Sequence, residues 1–149
     1  MQPRDTELME TVAVGAGAAV AARGGLVLRV LGVIGCLAVA VIHVIDQGGL
    51  PGTKDPYYVQ IMYYALEAAG VAAAALLVTR SARVGWFLAL GVAIGPILGY
   101  VLSRGPGLPN YTDDVGNWTE PLGVISLVVE GVLLMVTVAA LLTWRRRAA

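Results

Sequence analysis

Residues 84–102 of the chain read VGWFLALGVAIGPILGYVL and contain no charged side chain. As an α-helix, a segment of this length would extend about 30 Å, which matches the hydrocarbon core of a lipid bilayer. Lipid offers no hydrogen-bond partners to an open backbone, so a segment buried in it must be helical. The stretch therefore predicts a transmembrane helix, and it sets the expectation for the rest of the chain.

Three further segments are similarly long and apolar, at residues 26–45, 57–78 and 121–142. Apolar residues make up 58% of the chain and charged residues 13%, whereas soluble domains carry about 25% charged residues. We predict an all-α, polytopic membrane protein, a four-transmembrane-helix bundle over residues 26–144 with the lipid bilayer as its surroundings. The composition excludes the basic face of a nucleic-acid-binding domain.

Two short tails flank the predicted bundle. Residues 1–25 are rich in alanine and glycine, and we expect a mobile or interfacial cytoplasmic tail there. Residues 145–149 form a basic cytoplasmic tail. A cleavable signal peptide is the alternative for the first helix, because Ala38-Val39-Ala40 follows an apolar stretch with the small-x-small pattern. The acidic N-terminus argues against it.

Arginines mark one side of the predicted bundle. They precede or open the first helix, fill the turn between helices two and three, and follow helix four: Arg23, Arg29, Arg80, Arg83, Arg145, Arg146 and Arg147. The other two connections contain only Lys54 and Arg104 among several acidic residues. Because positive loops stay inside, we predict that both termini are cytoplasmic. Trp86 and Trp144 fall at the inner interface, and all six tyrosines fall in the outer half.

Two stripes of small residues repeat at four-residue spacing on helices three and two: Gly91, Gly95 and Gly99, and Ala65, Ala69 and Ala73. Small residues let helix backbones approach closely in membranes. We expect these stripes to pack inside the bundle. A homodimer seam is the alternative, and a larger membrane complex would use such a surface in the same way.

Three ionisable residues lie within predicted spans, namely His43, Glu67 and Glu130. A charge at bilayer depth costs about 2.5–3.5 kcal/mol, so such residues usually face a cavity or the bundle interior. At about 1.5 Å per residue, both glutamates lie about 14–15 Å from the outer ends of their helices. We therefore expect the two carboxyls to share a level. His43 is predicted to lie higher, which argues against one metal site for all three.

Each predicted helix carries polar residues at three- or four-residue spacing toward its outer end, and such spacing places them on one face. Turned inward, these faces would form a pocket open to the outside. The candidate pocket residues for a ligand or ion are His43, Asp46, Gln60, Tyr64, Glu67, Tyr100, Arg104 and Glu130. The alternative is a structural, hydrogen-bonded polar core in which the glutamates are protonated or share a proton.

The predicted outer loop, residues 103–120, reads SRGPGLPNYTDDVGNWTE. Its carboxylates are a candidate divalent-cation site, although they lack the EF-hand spacing: Asp113, Asp114 and Glu120. The competing interpretation is a cap for helix four, with Asn117 and Glu120 preceding Pro121 in the first turn. We expect Arg104 to pair with a rim carboxylate such as Asp113 or Glu120 rather than with the intramembrane Glu130.

The chain lacks the common catalytic and cofactor motifs. It contains no HExxH, Walker A, GxGxxG or GxSxG sequence, and its single cysteine, Cys36, excludes an internal disulfide and a thiolate zinc site. No cofactor is evident. An enzyme would have to use the two glutamates as acid and base.

Three segments carry a resemblance to known proteins. They are IHVIDQGG at residues 42–49, YYALE at residues 63–67, and GPILGYVLSRGPGLPNYTDDVGNWTEPLGVISLVVEG at residues 95–131. In these segments the chain resembles small, uncharacterised four-helix membrane proteins of actinobacteria. The resemblance implies a bacterial plasma membrane, where the Asn-x-Thr sequons of the outer loop would not be glycosylated, and it implies no activity.

The sequence leaves three functional hypotheses. The first is a binding or transport protein whose outer pocket takes a cation, a proton or a small polar solute. The second is an accessory subunit of a larger membrane complex, or a homo-oligomer. The third is a membrane enzyme with paired carboxylates, which no nucleophile or cofactor motif accompanies.

Overall fold

The computed structural model describes the backbone of residues 3–148 and the side chains of residues 22–144. Over these residues the chain is helical and consists of α1 (Pro3–Asp46), α2 (Tyr57–Leu77), α3 (Ala82–Arg104) and α4 (Pro121–Ala148). Each helix contains a segment long and apolar enough to cross a membrane: Ala22–Asp46, Tyr57–Leu77, Ala82–Arg104 and Pro121–Trp144. The prediction of four such helices is confirmed, and the bounds of these spanning segments are close to those expected.

The N-terminal segment differs from the expectation of a separate tail. The helical backbone of α1 begins at Pro3 and continues without a break to Asp46. The first helix therefore starts well before the predicted residue 26. The side chains of the predicted C-terminal tail, residues 145–149, lie outside the described ones.

The four helices form a square bundle in chain order. α1 packs against α2 and α4, α3 packs against the same two helices, and α1 also approaches α3 across the centre. In the described part of the chain α2 and α4 make no contact, so they occupy opposite corners. We call the end with connections 47–56 and 105–120 the long-loop end, and the end with turn 78–81 the short-turn end.

The apolar core fills the bundle from its middle to the short-turn end. Its buried members include Cys36, Val39, Leu77, Trp86 and Leu133. At two positions a neighbouring helix lies so close that only glycine fits without a shift. A Cβ on Gly32 would lie 2.6 Å from the Trp86 ring, and a Cβ on Gly70 would lie 2.9 Å from the carbonyl oxygen of Cys36. Close contacts of this kind are typical of helix packing in membrane proteins.

The predicted packing of the glycine stripe is wrong. A Cβ on Gly91, Gly95 or Gly99 would meet no described atom within 4 Å. The neighbouring face of α3, with Ala89 and Ala93, is the one buried in the core. A four-residue repeat identifies a face of a helix but does not decide which face turns inward, because adjacent faces of α3 are both rich in small residues.

Large apolar side chains are exposed on the outside of every span. Representative residues are Val30, Ile34, Val71, Phe87, Leu98, Val128 and Met135. The buried positions, by contrast, include the polar residues Gln47, Glu67, Ser126 and Glu130. The described bundle is therefore apolar on its surface and partly polar inside, which is the reverse of the usual soluble arrangement.

Candidate functional site

A cavity of about 210 Å³ lies between the four helices in the half of the bundle nearest the long-loop end. Each helix contributes to its wall, and the loop 105–120 covers part of it. The residues of the apolar core are absent from its described lining. The cavity is therefore bounded on the inner side by the packed half of the bundle.

The inner end of the cavity holds Glu130, which is 1% exposed. The Ser126 hydroxyl donates a hydrogen bond to Glu130 Oε1 at 2.5 Å. His43 Nε2 lies 3.9 Å from the same oxygen. The site residues of α1 and α4 thus meet at the bottom of the cavity.

The hydrogen bond on the other side of the His43 ring fixes its tautomer. His43 Nδ1 lies 2.9 Å from the carbonyl oxygen of Val39. A carbonyl only accepts, so Nδ1 carries the proton, and Nε2 of the neutral ring is an acceptor. Two acceptors, His43 Nε2 and Glu130 Oε1, therefore face each other across 3.9 Å.

The expected depth of His43 is wrong, because the helices do not end at one level. Asp46, the last residue of α1, accepts a hydrogen bond from Tyr63, which lies in the second turn of α2. α2 therefore extends about 9 Å beyond the end of α1, at 1.5 Å per residue. The His43 ring lies beside that of Tyr63, with 5.3 Å between ring centroids and an angle of 57° between the ring planes, and this lower position brings it to Glu130.

Glu67 lies apart from this cavity. It accepts a hydrogen bond of 2.7 Å from Gln47 Nε2, and Gln47 is itself 1% exposed. Glu67 is absent from the described cavity lining, and no Cα atom of α2 lies within 8 Å of one in α4. The described cavity therefore contains Glu130 but not Glu67, the other predicted intramembrane glutamate.

Two other predicted pocket residues hold the loop 47–56. Gln60 donates a hydrogen bond to the carbonyl of Gly52, and the backbone N–H of Gly52 donates to the Tyr64 hydroxyl at 2.8 Å. We call Gln47, Gln60, Tyr64 and Glu67 the loop-anchoring cluster. In the described structure its members support the loop rather than the cavity wall.

One side of the cavity rim carries a balanced charge pair. Lys54 Nζ lies 3.1 Å from Asp46 Oδ2 and 5.2 Å from the centroid of the Tyr63 ring. The Tyr63 hydroxyl donates to Asp46. Asp46 and Tyr63 both line the cavity, and the loop lysine supplies the counter-charge.

Arg104 occupies the other side of the rim. Its guanidinium lies 4.1 Å from the Tyr100 ring centroid, 3.5 Å from Asp114 Oδ2 and 3.7 Å from Glu120 Oε2. The prediction that Arg104 pairs with a rim carboxylate is confirmed. The second partner is Asp114 rather than Asp113, which is exposed.

Tyrosines close the loop 105–120 over the cavity. The Tyr100 hydroxyl donates to the carbonyl of Trp118 at 2.6 Å, and the Tyr58 hydroxyl donates to that of Pro109 at 2.7 Å. Tyr111 donates to Asp114 at 2.8 Å. Burial raises the pKa of the Tyr111 hydroxyl, and its hydrogen bond to Asp114 and the negative charge of Asp114 raise it further.

The outer-loop carboxylates act as a cap in the described structure. Glu120 accepts hydrogen bonds from the N–H groups of Leu122 at 3.0 Å and Gly123 at 2.6 Å. The capping residue is therefore Glu120 alone, directly before Pro121, without Asn117. Among the described residues no group of three His, Cys, Asp or Glu side chains is placed to hold a metal ion.

The charges around the cavity do not balance. Four carboxylates line it, and two cationic side chains pair with them: Asp46, Asp114, Glu120 and Glu130, with Lys54 and Arg104. Much of the remaining wall is apolar and includes Ile42, Met62, Leu66, Leu108 and Leu122. The cavity is thus small and acidic with a largely apolar wall, and with His43 neutral the Glu130 carboxylate at its deep end has no cationic partner.

Several cavity residues were missing from the predicted site, among them Ser126, Tyr63 and Tyr111, and the sequence contained a signal for the first two of these. Ser126 lies four residues before Glu130, and Tyr63 lies four residues before Glu67, so both share a helix face with a predicted residue. Tyr111 lies in a loop, where no periodicity identifies it.

Comparisons of the chain with family models, curated proteins and solved structures found no match. The resemblance to actinobacterial membrane proteins therefore stays a prediction.

Proposed function

We propose that this chain is an integral membrane protein with both termini on the cytoplasmic side. Four helices of spanning length and the apolar side chains exposed on all of them support this proposal, because soluble proteins rarely expose apolar patches of that extent. The arginines of the short-turn end support the orientation through the positive-inside rule. The long-loop end then faces the outside, and a bacterial plasma membrane is the expected location.

We further propose that the cavity binds a small primary ammonium ion that enters from the outer side. The observation that carries this proposal is the pair of acceptors, His43 Nε2 and Glu130 Oε1, which lie 3.9 Å apart at the inner end. A single nitrogen atom fits about 2.8 Å from both, a normal length for charge-assisted hydrogen bonds. A bound ammonium ion also supplies the positive charge that the buried carboxylate lacks.

The size and walls of the cavity restrict the ligand. A volume of about 210 Å³ is below the roughly 300–1,000 Å³ of drug-sized pockets, so a short-chain amine fits and a large solute does not. The apolar wall suits its carbon chain. The packed core below the cavity supports binding rather than passage through this conformation.

The test is calorimetric titration of the full chain in lipid nanodiscs with ethylammonium chloride. Sodium and tetramethylammonium chloride serve as probes that carry charge but no N–H donor. We expect both to bind at least about 10-fold more weakly, which corresponds to about 1.4 kcal/mol. Equal affinity for all three ions would refute the proposed recognition.

The two buried glutamates provide a matched pair of variants. Glu130→Gln should weaken ethylammonium binding at least about 10-fold, or about 1.4 kcal/mol, because it removes the charged acceptor. Glu67→Gln should stay within about twofold, since Glu67 belongs to the loop-anchoring cluster. Equal losses in both variants would show that the cavity is not the binding site.

A second candidate function is assembly with another membrane helix, as an accessory subunit or a homo-oligomer. The specific observation is the exposed Gly91 of α3, where a Cβ would meet no described atom within 4 Å. Purification in mild detergent with light scattering gives the mass of any complex. Gly91→Leu should release a partner bound there, and a monomeric mass for the unaltered chain would exclude the assembly.

A further inference from the structure

A second cavity, of about 300 Å³, opens at the short-turn end. It lies between α1, α3 and α4, and the turn 78–81 forms one edge. Three arginines and two tryptophans are prominent in its lining: Arg29, Arg80, Arg83, Trp86 and Trp144. It is separated from the ammonium cavity by the apolar core.

The charge in this cavity is uncompensated within the described structure. Arg29, Arg80 and Arg83 line it, and no carboxylate among the described side chains lines it with them. The salt bridges of the described residues all lie at the long-loop end and involve none of these three arginines. Three like charges around one space repel each other, so an anion placed between them removes an unfavourable interaction.

The backbone at the start of α3 also favours an anion in this cavity. α3 begins at Ala82, which lines the cavity. Its N-cap residue, Ser81, makes no side-chain capping bond in the described structure, and the first turn of α3 contains no acidic residue. The free N–H groups of a helix start carry a partial positive charge that favours an anion. This adds to the arginine charges in the same cavity.

Two tryptophans form part of the cavity wall. Trp86 is 4% exposed and forms an inner wall, while the guanidinium of Arg83 lies 5.2 Å from the Trp144 ring centroid. This stacking restrains Arg83 toward the cavity. Trp144 ends the fourth span and Ala82 begins the third, so the cavity lies at the level where the apolar surface of the bundle stops.

We propose that this cavity binds the phosphate group of an anionic phospholipid. Guanidinium groups bind phosphate oxygens through two parallel hydrogen bonds, and basic pockets between spans are suited to anionic headgroups. The exposed Val84 and Phe87 of α3 continue from this end along the bundle and offer a surface for the acyl chains. The inference rests on the proposed membrane embedding, but it is independent of the ammonium site.

The test is native mass spectrometry of the full chain with phosphatidylglycerol, phosphatidylcholine or inorganic phosphate added. We expect phosphatidylglycerol to bind at least about 10-fold more tightly than either of the other two. Equal binding of inorganic phosphate would assign the site to free phosphate and overturn the lipid proposal. Equal binding of phosphatidylcholine would show that the headgroup charge is not recognised.

Variants separate the cavity from general positive charge. Arg80→Gln with Arg83→Gln should lose about 10-fold in phosphatidylglycerol binding, whereas Arg23→Gln is the control because Arg23 is an arginine of α1 that does not line the described cavity. If Arg23→Gln lost as much phosphatidylglycerol binding, overall positive charge would explain the loss, and the proposed site would be refuted. Arg83→Lys keeps the charge and the fold but removes the planar fork, so an intermediate loss is expected and an unchanged affinity would contradict the proposed geometry.

Membrane embedding is measured separately, by retention of the chain in membranes after an alkaline carbonate wash. Release from the membrane would overturn the proposed function and the lipid site together. Retention with no preference for phosphatidylglycerol would overturn the lipid site alone. Ethylammonium binding is unaffected by either lipid outcome.

Discussion

Each end of the bundle has a cavity lined by charged side chains, and the two ends differ in whether the chain supplies counter-charges to them. At the long-loop end, connections 47–56 and 105–120 are long enough to fold back, so Lys54 and Arg104 neutralise rim carboxylates within the chain. At the short-turn end, the turn 78–81 is too short to cover the arginines beside it. The comparison shows that long connections bring oppositely charged side chains together at the rim of one cavity, whereas the short turn brings no described carboxylate to the arginines of the other.

The largest expected effect lies in the packed region that separates the two ends. Gly32→Val should lower the free energy of unfolding by about 1–3 kcal/mol, because its Cβ would lie 2.6 Å from the Trp86 ring. Gly91→Val is the control, since a Cβ there meets no described atom within 4 Å. Denaturant unfolding of the detergent-solubilised chain measures both. Equal stability of the two variants would mean that the short-turn half is not tightly packed.

A smaller effect tests the inner end of the acidic cavity. His43→Phe should weaken ethylammonium binding by about 1 kcal/mol, roughly fivefold, because one of two acceptors is lost while the ring shape remains. Tyr64→Phe, within the loop-anchoring cluster, should leave the affinity unchanged, and calorimetry measures both. If His43→Phe left the affinity for ethylammonium unchanged, binding by two acceptors would be refuted.

Substitutions at the rim of the same cavity should have a weaker effect, measured as the rate of amide exchange in the loops. Arg104→Gln removes the ion pairs to Asp114 and Glu120, which are partly exposed and long, at 3.5 and 3.7 Å. Pairs of this kind contribute about 0.5 kcal/mol, so amide exchange in residues 105–120 should become roughly twofold faster. Lys54→Gln should affect the other loop, residues 47–56, and leave this one unchanged. The reverse pattern would contradict the balance of charges described for this end.

The smallest effect at neutral pH concerns Tyr111. Its pKa is raised by burial and by Asp114, so its neutral form is favoured in the folded chain. The resulting stabilisation is complete below about pH 10, the ordinary tyrosine value, and it is lost as the pH rises through the higher folded pKa. Ring-carbon NMR shifts, assigned with Tyr111→Phe, follow the titration. Asp114→Asn should lower the pKa of Tyr111, and an unchanged titration would exclude Asp114 as a cause.

Much of the fold could be predicted from the sequence, because the length and hydropathy of a segment indicate whether it can form a membrane-spanning helix. The segment at residues 84–102 and its three counterparts correspond to helices in the structure. The cap at Pro121 was also predictable, since the residue before it carries a carboxylate that reaches the first N–H groups. The orientation in the bilayer stays a prediction.

The site was less accessible, because spacing along one helix does not specify neighbours. Glu67 and Glu130 have similar predicted depths, yet their helices stand at opposite corners of the bundle. His43 reaches Glu130 only because α1 ends below the start of α2. The relative level of α1 and α2 depends on how the loop 47–56 folds, and its sequence contains no periodic pattern that would have shown it.

The depth of Glu130 has an electrical consequence. Glu130 lies about two fifths of the way along the fourth span from Pro121, at 1.5 Å per residue. In a bundle embedded as proposed, a cation that reaches it from outside crosses about two fifths of the membrane voltage. Full passage is worth about 2.3 kcal/mol per 100 mV, so an inside-negative potential would strengthen binding by about 0.9 kcal/mol per 100 mV, roughly fivefold. Affinity measured in de-energised nanodiscs would then be a lower bound for an energised membrane.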